Sequence, residues 1–125
     1  MSKYSQGMTG VYYAAAALSE KGYIVTITTR NAPIADILIA TPDMKKLFSV
    51  QVKASKYDYF LMSKRAKKDK SPNLIYILVS LKKDKEPVFY IVKSSVVATN
   101  ICKNKKGWYW FEPIDRDRDN WKIIR

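Results

Sequence analysis

The segment Leu47–Ser55 most constrains the fold, because its side chains alternate between apolar and polar from Phe48 onward. A period of two is typical of a β-strand with one face against a core. The apolar face carries Phe48, Val50, Val52 and Ala54, and the other face carries Ser49, Gln51, Lys53 and Ser55. The preceding segment Ile34–Ala40 is apolar except for Asp36, and Thr41–Lys46 contains a Pro-Asp pair typical of a turn. Together these segments predict a β-hairpin.

Asp36 is the residue of this hairpin that needs an explanation, because a carboxylate within an apolar strand is costly to bury without partners. If the turn is centred between Asp43 and Met44, Asp36 lies directly opposite Gln51 on the same face. Lys53, two residues further, shares that face. A register slip of one residue would move Gln51 and Lys53 to the other face. The symmetric turn therefore predicts a carboxylate, an amide and an ammonium gathered at one place.

Two interpretations of this cluster are open. Carboxylate and amide oxygens are hard ligands that suit Mg²⁺. A metal-activated water with Lys53 beside it could then hydrolyse a phosphodiester. Alternatively, Asp36 and Lys53 form a structural ion pair with Gln51 as a hydrogen-bonding neighbour. The residues alone favour the structural pair.

The net charge indicates the class of partner. Lys and Arg number 23 against 11 Asp and Glu, which gives +12. Such a field attracts polyanions, and nucleic acid is the leading candidate, although a ribosome or an anionic membrane would suit the same charge. The stretch SKRAKKDKS concentrates this charge, and Tyr57, Tyr59 and Phe60 precede it. These rings could stack on bases or pack in the core. The candidate nucleic-acid-binding residues are Lys56, Lys64, Arg65, Lys67, Lys68 and Lys70.

The remaining elements follow from periodicity and turn residues. Helical spacing and the alanines Ala14–Ala17 predict a helix over Gln6–Lys21 that ends at Gly22. The next strand is predicted over Tyr23–Thr29, followed by a turn over Arg30–Pro33. Further predictions are a partly helical segment Lys56–Asn73, strands Leu74–Leu81, Val88–Lys93 and Trp108–Phe111, and a short helix capped by Ser94 and running to Ala98. The tail Ile114–Arg125 is expected to dock through Trp121, Ile123 and Ile124.

These elements follow the order α-β-β-β-(α)-β-β-α-β, which predicts one mixed α/β domain over residues 1–125 with a sheet flanked by helices. Cys102 is the only cysteine, so we expect no disulfide and a reducing, cytoplasmic location. No segment has the length and apolarity of a signal peptide or a membrane span, so no membrane partner is expected. The chain contains no histidine, which excludes His-metal sites and Ser-His-Asp triads.

Three runs of the sequence, GVYYAAAALSEKGYIV, NAPIADILIA and FSVQVKAS, resemble the PD-(D/E)XK nuclease superfamily. The most similar members are small resolvase-like and homing-endonuclease-like nucleases, and the resemblance covers about residues 6–80. It implies a restriction-endonuclease-like core, in which a central mixed β-sheet is flanked by helices. The superfamily pattern is an Asp near the start of one strand, then Glu or Gln, any residue and Lys on the next. Here the pattern falls on Asp36, Gln51 and Lys53.

The resemblance also implies an activity. Asp36, Gln51 and the backbone carbonyl of Val52 would hold Mg²⁺, for which Mn²⁺ can substitute, and Lys53 would assist the attacking water. Asp36, Gln51 and Lys53 would thus be the catalytic residues of a magnesium-dependent endodeoxyribonuclease. Its substrate would be double-stranded or branched DNA. Small members usually cut two strands as homodimers or higher homo-oligomers, so self-association is expected.

Two departures from the superfamily pattern weaken the expected metal site. Gln51 replaces the commoner Glu, which removes one negative charge. Many relatives carry a Glu on the first helix just after its Gly, whereas Val11 follows Gly10 here and falls on the apolar stripe. With Asp36 as the one expected carboxylate, Mg²⁺ should bind weakly until DNA phosphates add their charge. A non-catalytic DNA-binding module of the same fold therefore remains an alternative, as does an RNA-binding or ribosome-associated protein.

Overall fold

The computed structural model describes residues 1–28 and 36–125. The predicted turn Arg30–Pro33, and the predicted strand residues Thr29, Ile34 and Ala35, lie outside the described residues. The elements in chain order are α1 (Lys3–Glu20), β1 (Ile24–Ile27), β2 (Ile37–Ala40), β3 (Leu47–Ser55), β4 (Phe60–Met62), β5 (Leu74–Ser80), β6 (Val88–Lys93), α2 (Ser94–Asn100), β7 (Cys102–Lys103) and β8 (Tyr109–Phe111). Short 3₁₀ helices lie at Lys64–Lys67, Asp115–Asp117 and Trp121–Ile124.

The main sheet has the strand order β1-β2-β3-β5-β6. β3 pairs with β5 in parallel, and the other neighbours are antiparallel, so the sheet is mixed. A smaller antiparallel sheet has the order β4-β8-β7. The predicted mixed α/β class with a central sheet and flanking helices is confirmed.

The β2–β3 hairpin has the predicted symmetric register. Ile37 lies opposite Val50 and Ala40 opposite Leu47, so the next position, Asp36, faces Gln51. The turn closes with a hydrogen bond of 2.9 Å from the Thr41 N–H to the Lys46 carbonyl. The turn prediction over Thr41–Lys46 is therefore correct.

One face of the main sheet packs against α1. Val11, Ala14 and Leu18 of the helix are buried against Ile37, Val50, Ile75 and other apolar residues of the sheet. The helix lies close to β3 at Gly10, where a Cβ atom would lie 2.8 Å from the Ala54 Cβ. The prediction that Val11 is a core residue is correct.

Within residues 1–28 and 36–125, the other face is covered mainly over β5 and β6. There α2 and the small sheet enclose a second core, whose members include Phe60, Met62, Tyr76, Leu78, Val97 and Phe111. On β1, β2 and β3 the same face presents Ile24, Leu38 and Leu47 to solvent. The segment Lys56–Asn73, predicted to be partly helical, contains β4 as well as a 3₁₀ helix. β4 forms because the alternate residues Phe60 and Met62 are buried in the second core. The basic residues that follow β4 hide this strand pattern in the sequence.

The predictions for the start of α2 and for the C-terminal tail had different outcomes. The Ser94 cap was wrong, because Ser94 is the first residue of α2 and its hydroxyl donates to the Ser71 carbonyl at 2.6 Å. The docked tail is confirmed, since Ile124 is fully buried and its carbonyl accepts the Tyr23 hydroxyl at 2.6 Å. Among the described residues, no helix has the length and apolarity needed to cross a membrane.

Candidate active site

Asp36 lies directly before β2, and its side chain forms a hydrogen bond with β3 that continues the pairing of the two strands. Its backbone N–H donates to the Val50 carbonyl at 2.9 Å. Its Oδ2 atom accepts the Val52 N–H at 2.9 Å. Val50, Val52 and Ala54 turn their backbone groups away from β5, because alternate residues of a strand bond to opposite neighbours. The carboxylate therefore takes the place of a strand carbonyl beside Val52.

Gln51 lies beside this carboxylate, as the register predicts. Its Nε2 atom donates to the same Asp36 Oδ2 at 3.2 Å. The amide oxygen therefore turns away from Asp36. To ligate a cation shared with the carboxylate, the amide would rotate about its terminal bond so that Oε1 replaces Nε2.

Lys53 lies on the same face as Gln51 and is partly buried. Burial lowers the pKa of its ammonium below the ordinary value, and attraction to Asp36 opposes this shift. Within residues 1–28 and 36–125, no hydrogen bond and no ion pair within 4.0 Å engages the Lys53 ammonium. The structural Asp36–Lys53 ion pair considered above is therefore not formed. The ammonium is electrostatically coupled to the carboxylate, and no other described residue forms a hydrogen bond or ion pair with it.

These three side chains open into a cleft of about 740 Å³ at the edge of the main sheet. The first turns of α1 form one wall, and the segment after β3 forms the other. The wall residues include Lys3, Tyr4, Gln6 and Gly7 on the helix side, and Lys56, Tyr57, Tyr59 and Leu61 on the other. Gln6 ties the helix wall to β3, since its Nε2 atom donates to the Ala54 carbonyl at 3.2 Å.

Of the six candidate nucleic-acid-binding residues, only Lys56 lines this cleft. Lys64, Arg65, Lys67, Lys68 and Lys70 are exposed on and after the 3₁₀ helix, which packs beside α2. Lys3 and Tyr4 were missed, because the helix was predicted to begin at Gln6. The available signal was Ser2, whose hydroxyl caps α1 by accepting the Ser5 N–H at 3.1 Å.

The potential metal ligands at this site are oxygen atoms that suit a hard cation, and together they carry little negative charge. Asp36 supplies one carboxylate, and the Val52 carbonyl faces the same strand edge as the N–H that Asp36 binds. With the Gln51 amide these are all oxygen donors, which suit Mg²⁺ better than Zn²⁺. No group of three or more Cys, Asp or Glu able to hold a metal occurs in the described part of the chain. Val11 is buried and supplies no ligand.

Comparison with known proteins identifies the fold. No family model and no curated protein matches this sequence. A solved structure of Hjc, a Holliday junction resolvase of the archaeal hyperthermophile Archaeoglobus fulgidus, matches with a TM-score of 0.57 and 9% identity, over 85% of this chain and 83% of that one. A bacterial homing endonuclease matches with a TM-score of 0.64 and 15% identity, over 98% and 92%. Both are restriction-endonuclease-like nucleases, so the fold implied by the PD-(D/E)XK resemblance is confirmed.

Proposed function

We propose that this chain is a metal-dependent endodeoxyribonuclease that hydrolyses DNA phosphodiesters in the cleft containing Asp36, Gln51 and Lys53. One observation carries the proposal. In a nuclease fold, a carboxylate fixed by the Val52 N–H lies beside a partly buried lysine that has no partner among the described residues. A structural ion pair would engage both groups, whereas here the ammonium lines an open cleft and has no close contact with the Asp36 carboxylate.

In this proposal Asp36, Gln51 and the Val52 carbonyl hold Mg²⁺, with Mn²⁺ as a substitute. When bound, the cation would polarise the scissile phosphate and activate a water. Asp36 uses Oδ2 for the Val52 N–H and Gln51, so Oδ1 would be the oxygen available to hold the cation. With one carboxylate, affinity for the metal alone should be low and should rise when a DNA phosphate enters the cleft.

Lys53 has two roles open to it in the cleft. Its ammonium can orient the attacking water, and it can balance the charge that develops on the phosphate. Both roles require a cation that is not neutralised by a neighbouring carboxylate. The lack of a close ion pair with Asp36 supports this assignment.

DNA is the proposed partner, in duplex or branched form. The net charge of +12 favours a polyanion. Lys3 and Lys56 line the cleft itself, and the cluster from Lys64 to Lys70 would contact the backbone further away. The two similar structures are of a Holliday junction resolvase and a homing endonuclease. The same charge would suit an RNA-binding protein. Competition binding between duplex DNA and structured RNA would distinguish the two roles.

A non-catalytic DNA-binding module is the second candidate, and the composition of the site favours it. Val11 occupies the place of a helix acid, and Gln51 contributes no charge, so the cleft has one acidic side chain among its described lining residues. Such a protein would bind DNA and leave it intact.

Plasmid cleavage separates these candidates. Supercoiled plasmid and a four-way junction are incubated with Mg²⁺ or Mn²⁺ and with wild type, Asp36→Ala or Lys53→Ala. We expect nicking by wild type alone. Cleavage that survives both substitutions would refute the site, and intact DNA with retained binding would support the non-catalytic module.

Self-association belongs to the proposal, because one site cuts one strand. Ile24 and Leu47 flank Ala40 on the uncovered sheet face, and Leu38 lies on the same face, so three exposed aliphatic side chains are adjacent. Exposed apolar groups of this kind often mark interfaces. Light scattering of wild type and Leu47→Lys tests this point: a dimer that the substitution dissociates supports it, and a wild-type monomer contradicts it.

A further inference from the structure

Two tyrosines of the cleft lining form a platform of stacked rings. Tyr57 and Tyr59 both line the cleft, and their rings stack with centroids 5.5 Å apart and planes inclined by 7°. They are 62% and 41% exposed, respectively. Burying an aromatic ring is favourable, and most tyrosines of a small core are enclosed on both faces. These two remain exposed in the cleft where the scissile phosphate is proposed to lie.

The backbone holds this platform in place from both sides. Tyr57 is fixed by its N–H, which donates to the buried Ser55 hydroxyl at 2.9 Å. Asp58, between the two tyrosines, does not line the cleft and pairs instead with Lys82. Tyr59 is followed directly by Phe60, which is 1% exposed in the second core. The backbone that carries both rings is therefore held before a ligand arrives, which reduces the entropy cost of binding.

The charge beside the platform suits a nucleic-acid backbone. The described lining of the cleft contains three lysines, Lys3, Lys53 and Lys56, and one acid, Asp36. Lys56 adjoins Tyr57 in the chain, so a cation and a ring face are presented together. A groove that combines lysines with exposed rings is the usual arrangement for binding unpaired nucleotides.

The exposed ring faces distinguish between kinds of DNA. In a continuous duplex each base is covered by its neighbours above and below, and only its edges reach the grooves. A ring face can therefore stack only on a base that has left the helix, at an end, a branch or an unpaired segment. Lysines alone would serve duplex and single strand equally.

From this geometry we infer that Tyr57 and Tyr59 stack on unpaired bases, so that the cleft prefers DNA with a single-stranded segment beside the scissile phosphate. The inference rests on the proposed function, because it assigns the substrate class of the same cleft. It adds a specificity that the metal and lysine positions do not determine.

Binding without divalent metal tests the inference separately from cleavage. A short single-stranded DNA that contains 2-aminopurine, and a blunt duplex of the same sequence, are titrated in EDTA. We expect wild type to bind the single strand and to quench the 2-aminopurine fluorescence. The double variant Tyr57→Ala/Tyr59→Ala should lose about 5-fold or more in single-strand affinity, the range for one stacked base. Its affinity for the blunt duplex should stay unchanged.

Two controls isolate the stacking. Tyr57→Phe/Tyr59→Phe keeps both rings and should keep the affinity and the quenching. Tyr12→Ala removes an equally exposed tyrosine that does not line the cleft, and should change neither. Thermal melts of all variants show that each is folded.

Each outcome bears on one of the two proposals. Equal losses for single strand and duplex, or quenching that survives both alanines, would overturn the stacking inference while leaving the nuclease proposal intact. Tyrosine-dependent single-strand binding by a protein that cuts nothing would support the inference and contradict the nuclease. Tighter tyrosine-dependent binding of single-stranded RNA would overturn the assignment to DNA.

Discussion

The Asp36 carboxylate accepts the backbone N–H of Val52 at 2.9 Å, so a side chain supplies the bond that a neighbouring strand would otherwise make. This relationship gives Asp36 two separable roles. It satisfies the N–H of a buried residue of the central strand, and its side chain lines the cleft. Substitutions can separate these two roles.

Asp36→Asn and Asp36→Ala should differ in stability but not in activity. Both remove the carboxylate, so we expect cleavage by either to fall to background. Asn retains an acceptor for the Val52 N–H and should cost less than about 1 kcal/mol, whereas Ala leaves that N–H without a partner and should cost about 1–3 kcal/mol. Urea denaturation and plasmid nicking measure the two effects. Equal stability of Asn and Ala variants would show that the Val52 bond contributes nothing.

Lys53→Met should reduce cleavage without reducing stability. Its ammonium is partly buried and has no close partner among the described residues, so an apolar side chain of similar length removes a desolvation cost. We expect the free energy of unfolding to stay equal or rise, and cleavage to fall by about 100-fold or more. Lys83→Met, on the exposed β5–β6 loop, is the matched control and should retain activity. An active Lys53→Met protein would remove Lys53 from the mechanism.

Gln51→Glu should strengthen metal binding and weaken the metal-free protein. The new carboxylate would lie where Gln51 now donates to Asp36 Oδ2 at 3.2 Å, so like charges would lower the free energy of unfolding by about 1–2 kcal/mol in EDTA. Magnesium would then stabilise the variant more than wild type, because the site has two carboxylates. Thermal melts at increasing Mg²⁺ measure this difference. It should vanish in the double variant with Asp36→Asn, and its persistence there would place the metal elsewhere.

Gly7→Ala and Gly10→Ala should change stability in opposite directions. A Cβ at Gly7 meets nothing within 4 Å, so alanine should stabilise α1 by about 0.5–1 kcal/mol. A Cβ at Gly10 would lie 2.8 Å from the Ala54 Cβ, so the helix must move away from β3 at a cost of about 1–3 kcal/mol. Denaturation midpoints test the pair. A stabilising Gly10→Ala would mean that the helix adjusts freely against the strand.

Asp43 should make the hairpin turn sensitive to acid. Its pKa is lowered first by the Thr41 hydroxyl, which donates at 2.6 Å, and then by the Lys45 N–H. A carboxyl with a depressed folded-state pKa stabilises the fold above its ordinary value of 3.8, and this contribution is lost as the pH falls through the lower folded-state pKa. The destabilisation by Asp43→Ala should therefore be largest at neutral pH and disappear in strong acid. Urea denaturation from neutral to acidic pH tests this, with Thr41→Val as the partner in a double-mutant cycle.

The hairpin register could be predicted from the sequence because local rules determine it. The alternation of Leu47–Ser55 assigns its faces, and the short turn at Thr41–Lys46 permits one symmetric pairing. Those two facts place Asp36 opposite Gln51, as the structure has them. The bond from Val52 to Asp36 was not predictable, because it depends on Asp36 lying just before β2, which begins at Ile37, and not inside the strand as the apolar pattern suggests.

Long-range packing accounts for what the sequence concealed. β4 follows a charged, aromatic stretch, and Phe60 and Met62 become strand residues only against β8, some fifty residues away. Ser94 is a residue type that often caps helices, yet its hydroxyl donates to the Ser71 carbonyl. The run Lys64–Lys70 adjoins the site in sequence, whereas its 3₁₀ helix lies beside α2. In each case a distant segment decided the outcome.

The edge of β3 that faces β2 has a consequence for handling the protein. Beyond Val50, side chains satisfy backbone groups on this edge of β3: Asp36 accepts the Val52 N–H, and Gln6 donates to the Ala54 carbonyl. Unsealed strand borders recruit strands from other molecules. The Asp36→Ala variant should therefore be more prone to aggregate than wild type, and the residue proposed to hold the metal would also keep the chain soluble.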